Sequence, residues 1–357
     1  MLMKLSLKSL VWMASLVLAF GCTSKKGATP SAQSTPRTVN VATWSNYLSD
    51  DLIQSFEKKT GIQVQISNFS SNEELLAKLQ TGTSDFDLIF PSDYMVFTMS
   101  KLGLLHELDR KMIPNAEQID PQYLKRDFDP TNRFSVPYDW GTTGIGINRK
   151  VFQGSIKSWK DLFEKPELAG KFSLLDDSRE VMGAALKSLG YSMNTNDPQQ
   201  VKQAKELLFK TRARVKSFLS EPLTALETGE IPITQIYMTD ALQARQHKGD
   251  FIEYVIPEEG TSLWMDNLSI PARSKHVQEA HELMNFLLEP TSSLAIVKKF
   301  WVAPTHRAVF ALLPKEMQSN VMLFPPAAIL KRCEMVHDLG EATVLWDRAW
   351  TEIKALN

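Results

Sequence analysis

Trp264 and Asp266 stand two positions apart in the otherwise apolar run 262–271, and residues two apart in a strand share one face. An acid beside an indole is poor core packing. The pair suits a cation that needs a flat π surface beneath it and a negative charge at its tip. Rings next to acids, hydroxyls or amides recur at Trp44-Ser45-Asn46-Tyr47, at Ser92-Asp93-Tyr94, and at Tyr237 with Asp240. Asp177 and Glu180, three apart at an expected helix start, allow two readings. Either they form a capping box, or they place two carboxylates on one face where they flank one ammonium. Arg179 offsets part of that charge, and the spacing alone does not decide.

Catalysis leaves other marks. The histidines at 106, 247, 276, 281, 306 and 337 are scattered, and there is no His-Glu-x-x-His, no Gly-x-Ser-x-Gly and no cysteine cluster. The chain therefore reads as a binder rather than an enzyme, with no cofactor and no metal. A formal net charge of -1 argues against a nucleic-acid partner. The Gly/Thr cluster at 141–146 fits neither the dinucleotide fingerprint nor the P-loop. It reads instead as a segment crossing into a second lobe, with glycines that let the backbone bend.

The elements that must position these residues alternate. A strand from Val39 precedes a helix capped by Ser49, with Leu52, Ile53 and Phe56 inward and Gly61 at its end. A strand at 62–66, a helix from Asn72 to Gly82 and a strand at 86–90 follow, and the pattern resumes with a short helix from Ser158 and a strand at 171–175. Next comes a helix expected to bury Val181, Ala184, Ala185 and Leu189, then one burying Val201, Ala204, Leu207 and Leu208. The last helix carries a stripe of Ala342, Leu345, Trp346, Ala349, Trp350, Ile353 and Leu356, whose tryptophans read as core. This alternation predicts an α/β protein with mainly parallel sheets, whose ligands bind beyond the carboxyl ends of the strands.

At 357 residues the chain calls for two lobes. Lys4 and Lys8 precede an apolar run too short to span a bilayer, as in a signal peptide. Leu18-Ala19-Phe20-Gly21-Cys22 resembles a bacterial lipobox, with Ala19 where leucine is usual. Residues 1–21 are thus expected to be removed, Cys22 to carry a lipid, and the Ser/Thr/Pro-rich stretch 22–38 to act as a tether. The competing reading is an ordinary signal peptide with a stray cysteine. Losing Lys4 and Lys8 takes the charge from -1 to about -3. No Asp follows Cys22, which favours the outer membrane if the cell is Gram-negative.

Further signatures are Lys59-Thr60-Gly61-Ile62, Phe86-Asp87-Leu88 with Pro91-Ser92, Pro137-Tyr138 with Trp140-Gly141, Asp177 with Arg179-Glu180-Val181, and Trp264-Met265-Asp266 with Ile270-Pro271. Together with Trp44-Ser45-Asn46-Tyr47 they resemble the periplasmic polyamine-binding proteins of ABC transporters, the spermidine and putrescine binders, over nearly the whole length after Val39. The resemblance implies a two-lobed type II periplasmic-binding-protein fold with hinge strands and an interlobe cleft. The first lobe would be 39–143 with 261–312, and the second 144–260 with 313–357. It implies that Trp44, Tyr94, Tyr237 and Trp264 wall a methylene chain, that Asp177, Glu180 and Asp266 hold amines, and that Ser45 and Ser92 hydrogen-bond. Asp240 matches an acid of putrescine-type relatives. Asn46, where an acid is usual, the added Asp93, Tyr237 in place of tryptophan, and Val336 in place of glutamine set the ligand within the class. A monomer delivering polyamine to an ABC permease is the implied role, with a lipid-anchored polyamine sensor as the alternative.

Overall fold

The computed structural model describes residues 37–355. The leader, Cys22, Leu356 and most of the expected tether lie outside the described residues. The tether's last two residues are structured: Arg37 pairs with Glu279 at 2.9 Å and with Glu282, and Thr38 begins a strand.

Strand β1 (Thr38–Thr43) lies between β2 (Gln63–Asn68) and β3 (Leu88–Ile89), parallel to both. The connecting helices start and stop where their caps require. In α1 (Asp50–Thr60) the Ser49 hydroxyl accepts from the Leu52 amide, and Gly61 ends the helix at φ 71°. Ser71 and Gly82 do the same for α2 (Asn72–Thr81). Ser92-Asp93-Tyr94, expected as a loop, is instead the start of α3 (Asp93–Lys101), with Ser92 at its cap.

The organising element is β4 (Val136–Asn148), thirteen residues long and buried throughout. Its first half, to Thr142, pairs with β9 (Ser262–Leu268) and with β10 (Ala303–Pro304). From Thr143 it pairs with β7 (Ile233–Tyr237) and, from Ile145, with β8 (Ile252–Val255). Beyond β7 lie β5 (Phe172–Leu175) and β6 (Val215–Leu219), both parallel to it in sequence of pairing. Bridges Ile89↔Ser269 and Ser92↔Asp266 tie β3 to β9. The three-stranded sheet is parallel as expected, but the eight-stranded sheet is mixed, because β4 runs antiparallel to all four of its partners. Apolar periodicity identifies a strand but carries no information on its direction.

The glycines of β4 also act differently from the expectation. None has a positive φ, and the strand continues unbroken through them. Gly141 faces Trp264 across the ladder, and a Cβ would overlap the indole. At Gly144 a Cβ would come within 2.5 Å of the Val255 carbonyl oxygen. These glycines make room for neighbours.

Two buried cores result. One gathers Phe56, Leu88, Phe90, Val136, Met265 and Leu283; the other gathers Trp159, Phe163, Phe172, Leu186 and Trp346. The C-terminal helix (Thr343–Lys354) sends Trp346, Ala349 and Ile353 into the second, and Trp350 packs edge-on against Phe218. Leu189, expected inside, caps α5 (Ser178–Ser188) and is exposed. After residue 312, Leu313, Met317 and Leu323 pack in the same core as Phe56 and Met265, and β11 (Glu334–Met335) pairs with β9.

Candidate functional site

A cavity of about 1030 Å³, including its mouth, opens where β1, β3, β5 and β7 end, with β9 along its floor. All twelve residues Trp44, Ser45, Asn46, Ser92, Asp93, Tyr94, Asp177, Glu180, Tyr237, Asp240, Trp264 and Asp266 line it. Pairing sets the direction of each: Trp264 lies opposite Gly141 and Asp266 opposite Asp139, so indole and carboxylate point to one side of β9.

Rings are held by polar handles. The Trp44 indole N–H donates to the Phe90 carbonyl at 3.0 Å and its ring tilts on Phe69. The Tyr94 hydroxyl donates to Glu73 at 3.0 Å. Tyr237 and Trp264 meet edge to face, centroids 6.2 Å apart. Asn46 is exposed at the rim with φ 56°, a left-handed conformation that asparagine tolerates better than most residues.

Asp177 caps the helix and reaches the cavity, and Glu180 lines the cavity without closing a capping box. One Asp177 oxygen accepts from the amides of Arg179 (2.9 Å) and Glu180 (3.1 Å), which is the cap. Its other oxygen accepts from the Tyr237 hydroxyl at 3.3 Å, inside the cavity. Glu180 does not complete a capping box; both its oxygens lie within reach of the Ser262 hydroxyl, at 2.9 and 2.7 Å. Asp266 accepts from the Ser92 hydroxyl at 2.6 Å and from Tyr47. Ser92 is itself oriented by Asn72, which donates to its hydroxyl and accepts from its amide. Asp93 accepts from the Tyr94 amide through one oxygen and leaves the other buried without a partner.

Burial dominates the electrostatics. It pushes the carboxyl of Glu180 up to about 8, that of Asp240 to about 7 and that of Asp266 to about 6. Asp177 is raised and Asp93 raised well above the carboxylate range by the same cause. Arg179 is the single cationic side chain lining the cavity among the described residues. Its guanidinium lies over Tyr94 and Trp346 and donates to the His337 carbonyl. Cavity residues not anticipated from sequence include Tyr47, Phe69, Asn72, Glu221 and Gln243. Tyr47 ends the motif Trp44-Ser45-Asn46-Tyr47, which by itself assigns it no role of its own, whereas Asn72 looks like an ordinary helix-start residue.

Gly141→Ala tests the geometry of the indole. The added methyl would lie 2.4 Å from the Trp264 ring, so the indole must shift in the cavity wall. Overpacking lowers stability by roughly 1–3 kcal/mol in the same variant's thermal melt.

A three-stranded and an eight-stranded sheet, with a ring-walled, acid-lined cavity at their strand ends, have the form of a solute-binding protein. The chain belongs to the bacterial extracellular solute-binding protein family, whose model matches residues 51–325. It is 36% identical over 341 residues to a Haemophilus influenzae protein named spermidine/putrescine-binding periplasmic protein 1, covering 94% of each chain. It is 38% identical to the Escherichia coli K12 spermidine/putrescine-binding periplasmic protein over 87% of this chain and 90% of that one. A solved structure described as a putative spermidine/putrescine ABC transporter from Listeria monocytogenes superposes with a TM-score of 0.85 at 33% identity, covering 89% of this chain and 99% of that one. Membership of this family makes the chain a transport-type binding protein and not an enzyme.

Proposed function

We propose that the chain captures a polyamine of the putrescine or spermidine class in this cavity and delivers it to an ABC permease. The observation that carries the reading is the charge imbalance: Asp93, Asp177, Glu180, Glu221, Asp240 and Asp266 line a cavity that contains Arg179 alone as a cation. Four of these acids, Asp93, Asp177, Glu180 and Asp266, are buried. Buried carboxylates without counter-ions are costly, and a ligand bearing several ammonium groups removes that cost. The names of the similar proteins support the same class.

In this reading Asp177, Glu180 and Asp266 hold ammonium groups, and Trp44, Tyr94, Tyr237 and Trp264 flank the methylene chain. Ser45 lies at the mouth, and Ser92 acts chiefly by orienting Asp266. Asn46, Asp93, Asp240 and Val336 select among polyamines. The change of partners along β4 at Thr142 and Thr143 supports lobes divided there, 39–143 and 261 onward against 144–260 and the C-terminal helix. Closure about β4 on ligand binding would create the surface that a permease reads. Cys22 would carry a lipid anchor on the periplasmic side of the envelope, and the protein would act as a monomer.

Titration calorimetry of the soluble domain with putrescine, cadaverine, spermidine and spermine is the test. Saturable heat and a raised melting temperature are expected with at least one of them. No heat and no thermal shift with any of the four rules out the polyamine assignment.

A further inference from the structure

Asp139 and Asp266 are paired directly across β4 and β9, and the Tyr47 hydroxyl contacts both, lying 2.8 Å from Asp139 Oδ1 and against Asp266 Oδ2. Like charges facing each other across a ladder repel. Two hydrogen bonds around one phenol oxygen need two hydrogens, and the phenol has one. The second belongs to a carboxyl group. Asp266 already receives the Ser92 hydroxyl as well as Tyr47, whereas among the described residues the Asp139 carboxyl has no hydrogen bond other than that with Tyr47, and its Oδ2 is buried without a partner. A bare buried oxygen disfavours a charge on Asp139.

We infer that Asp139 is a neutral carboxylic acid that donates to Tyr47, so that the only phenol hydrogen goes to Asp266 and fixes a single charged carboxylate facing the cavity. Asp139 is thus a positioning residue, acting on the cavity through Tyr47. Its consequence is a charge count: this end of the cavity carries one negative charge and takes one ammonium group, although two aspartates meet there. The consequence for binding rests on the cation-binding role proposed above; the protonation of Asp139 does not.

The titratable groups around the pair are Tyr47 from the loop after β1, Tyr138 beside Asp139 on β4, and Asp93 at the start of α3. On the other edge of β4, β10 places Pro304 opposite Asp139. Among the described residues no lysine, arginine or histidine forms an ion pair with either carboxyl group. Burial and the neighbouring Asp266 both push the Asp139 carboxyl well above its usual range.

The test compares the parent with Asp139→Asn and Tyr47→Phe. Asn is nearly isosteric with a protonated Asp and donates to Tyr47 in its place. Infrared difference spectra of the ligand-free proteins at neutral pH should show a protonated-carboxyl carbonyl band in the parent that is missing from Asp139→Asn. Calorimetry with putrescine and with spermidine should place the Kd of Asp139→Asn within about threefold of the parent, with the midpoint of its pH profile unmoved. Tyr47→Phe should weaken binding about five- to tenfold and raise that midpoint, because Asp266 loses a donor to its charged form. Loss of a carboxylate band instead of a carbonyl band in Asp139→Asn, or a pH profile displaced downward, overturns the inference. The expected infrared result with no binding of putrescine, cadaverine, spermidine or spermine to any of the three proteins would leave Asp139 neutral and reject the polyamine-binding role.

Discussion

Asp266→Asn is expected to lower the affinity for putrescine or spermidine about a hundredfold or more, with the unliganded melting temperature within a few degrees of the parent. Removing one member of a buried, hydrogen-bonded charge pair costs roughly 2–5 kcal/mol, and about 1.4 kcal/mol is a factor of ten. Asp266 meets these conditions: it is 5% exposed, it lines the cavity, and Ser92 and Tyr47 hold both its oxygens. Asn keeps the size but loses the charge and turns an N–H toward one of two groups that donate. The small effect on the empty protein follows from the raised carboxyl of Asp266, since a charge that is costly to bury contributes little stability while no ligand is present. Calorimetry and a thermal melt on the same sample make the comparison. Unchanged affinity would make Asp266 a structural residue.

The affinity should also rise steeply between about pH 5 and pH 8. The carboxyl groups of Asp266 (about 6), Asp240 (about 7) and Glu180 (about 8) lie above their ordinary values of 3.8, 3.8 and 4.5. A carboxyl raised in the fold favours the protonated folded protein. Its contribution to the empty protein's stability is therefore present at low pH and is lost as pH rises through the raised value. A bound ammonium reverses the preference, lowers these values and expels protons. Amines of the lysine kind, near 10.4, keep their charge throughout this window. Each carboxyl that must ionise costs about tenfold in Kd per pH unit below its raised value, so binding at pH 5 should be weaker than at pH 8 by on the order of a hundredfold or more. Calorimetry in two buffers of different ionisation enthalpy reads the proton release directly. A flat Kd with no buffer dependence would show that the cavity acids are already ionised before ligand arrives.

Much of this was legible locally. Ser49 with Gly61 and Ser71 with Gly82 bracket α1 and α2 because an end cap is a matter of a few adjacent residues. Trp264 with Asp266, and Asp177 with Glu180, mark the cavity because a strand or a helix start turns spacing into a shared face. Where a residue had two uses, spacing did not suffice. Asp177 is both a cap and a cavity acid, one oxygen for each, and only its neighbours in space separate the roles.

By itself, then, the sequence determined the α/β alternation, the helix ends and the aromatic-and-acid chemistry of the cavity, since all of these arise from residues close along the chain. Tertiary structure alone decided the direction of β4, the stacking of Arg179 over Tyr94 and Trp346, and the meeting of Asp139, Tyr47 and Asp266. Tyr47 lies 92 residues from Asp139 and 219 from Asp266. A ring and an acid two residues apart suit a cation, but the number of charges that would meet it depends on a shared proton. That proton is placed by packing between distant segments, which leave no periodic trace in either one.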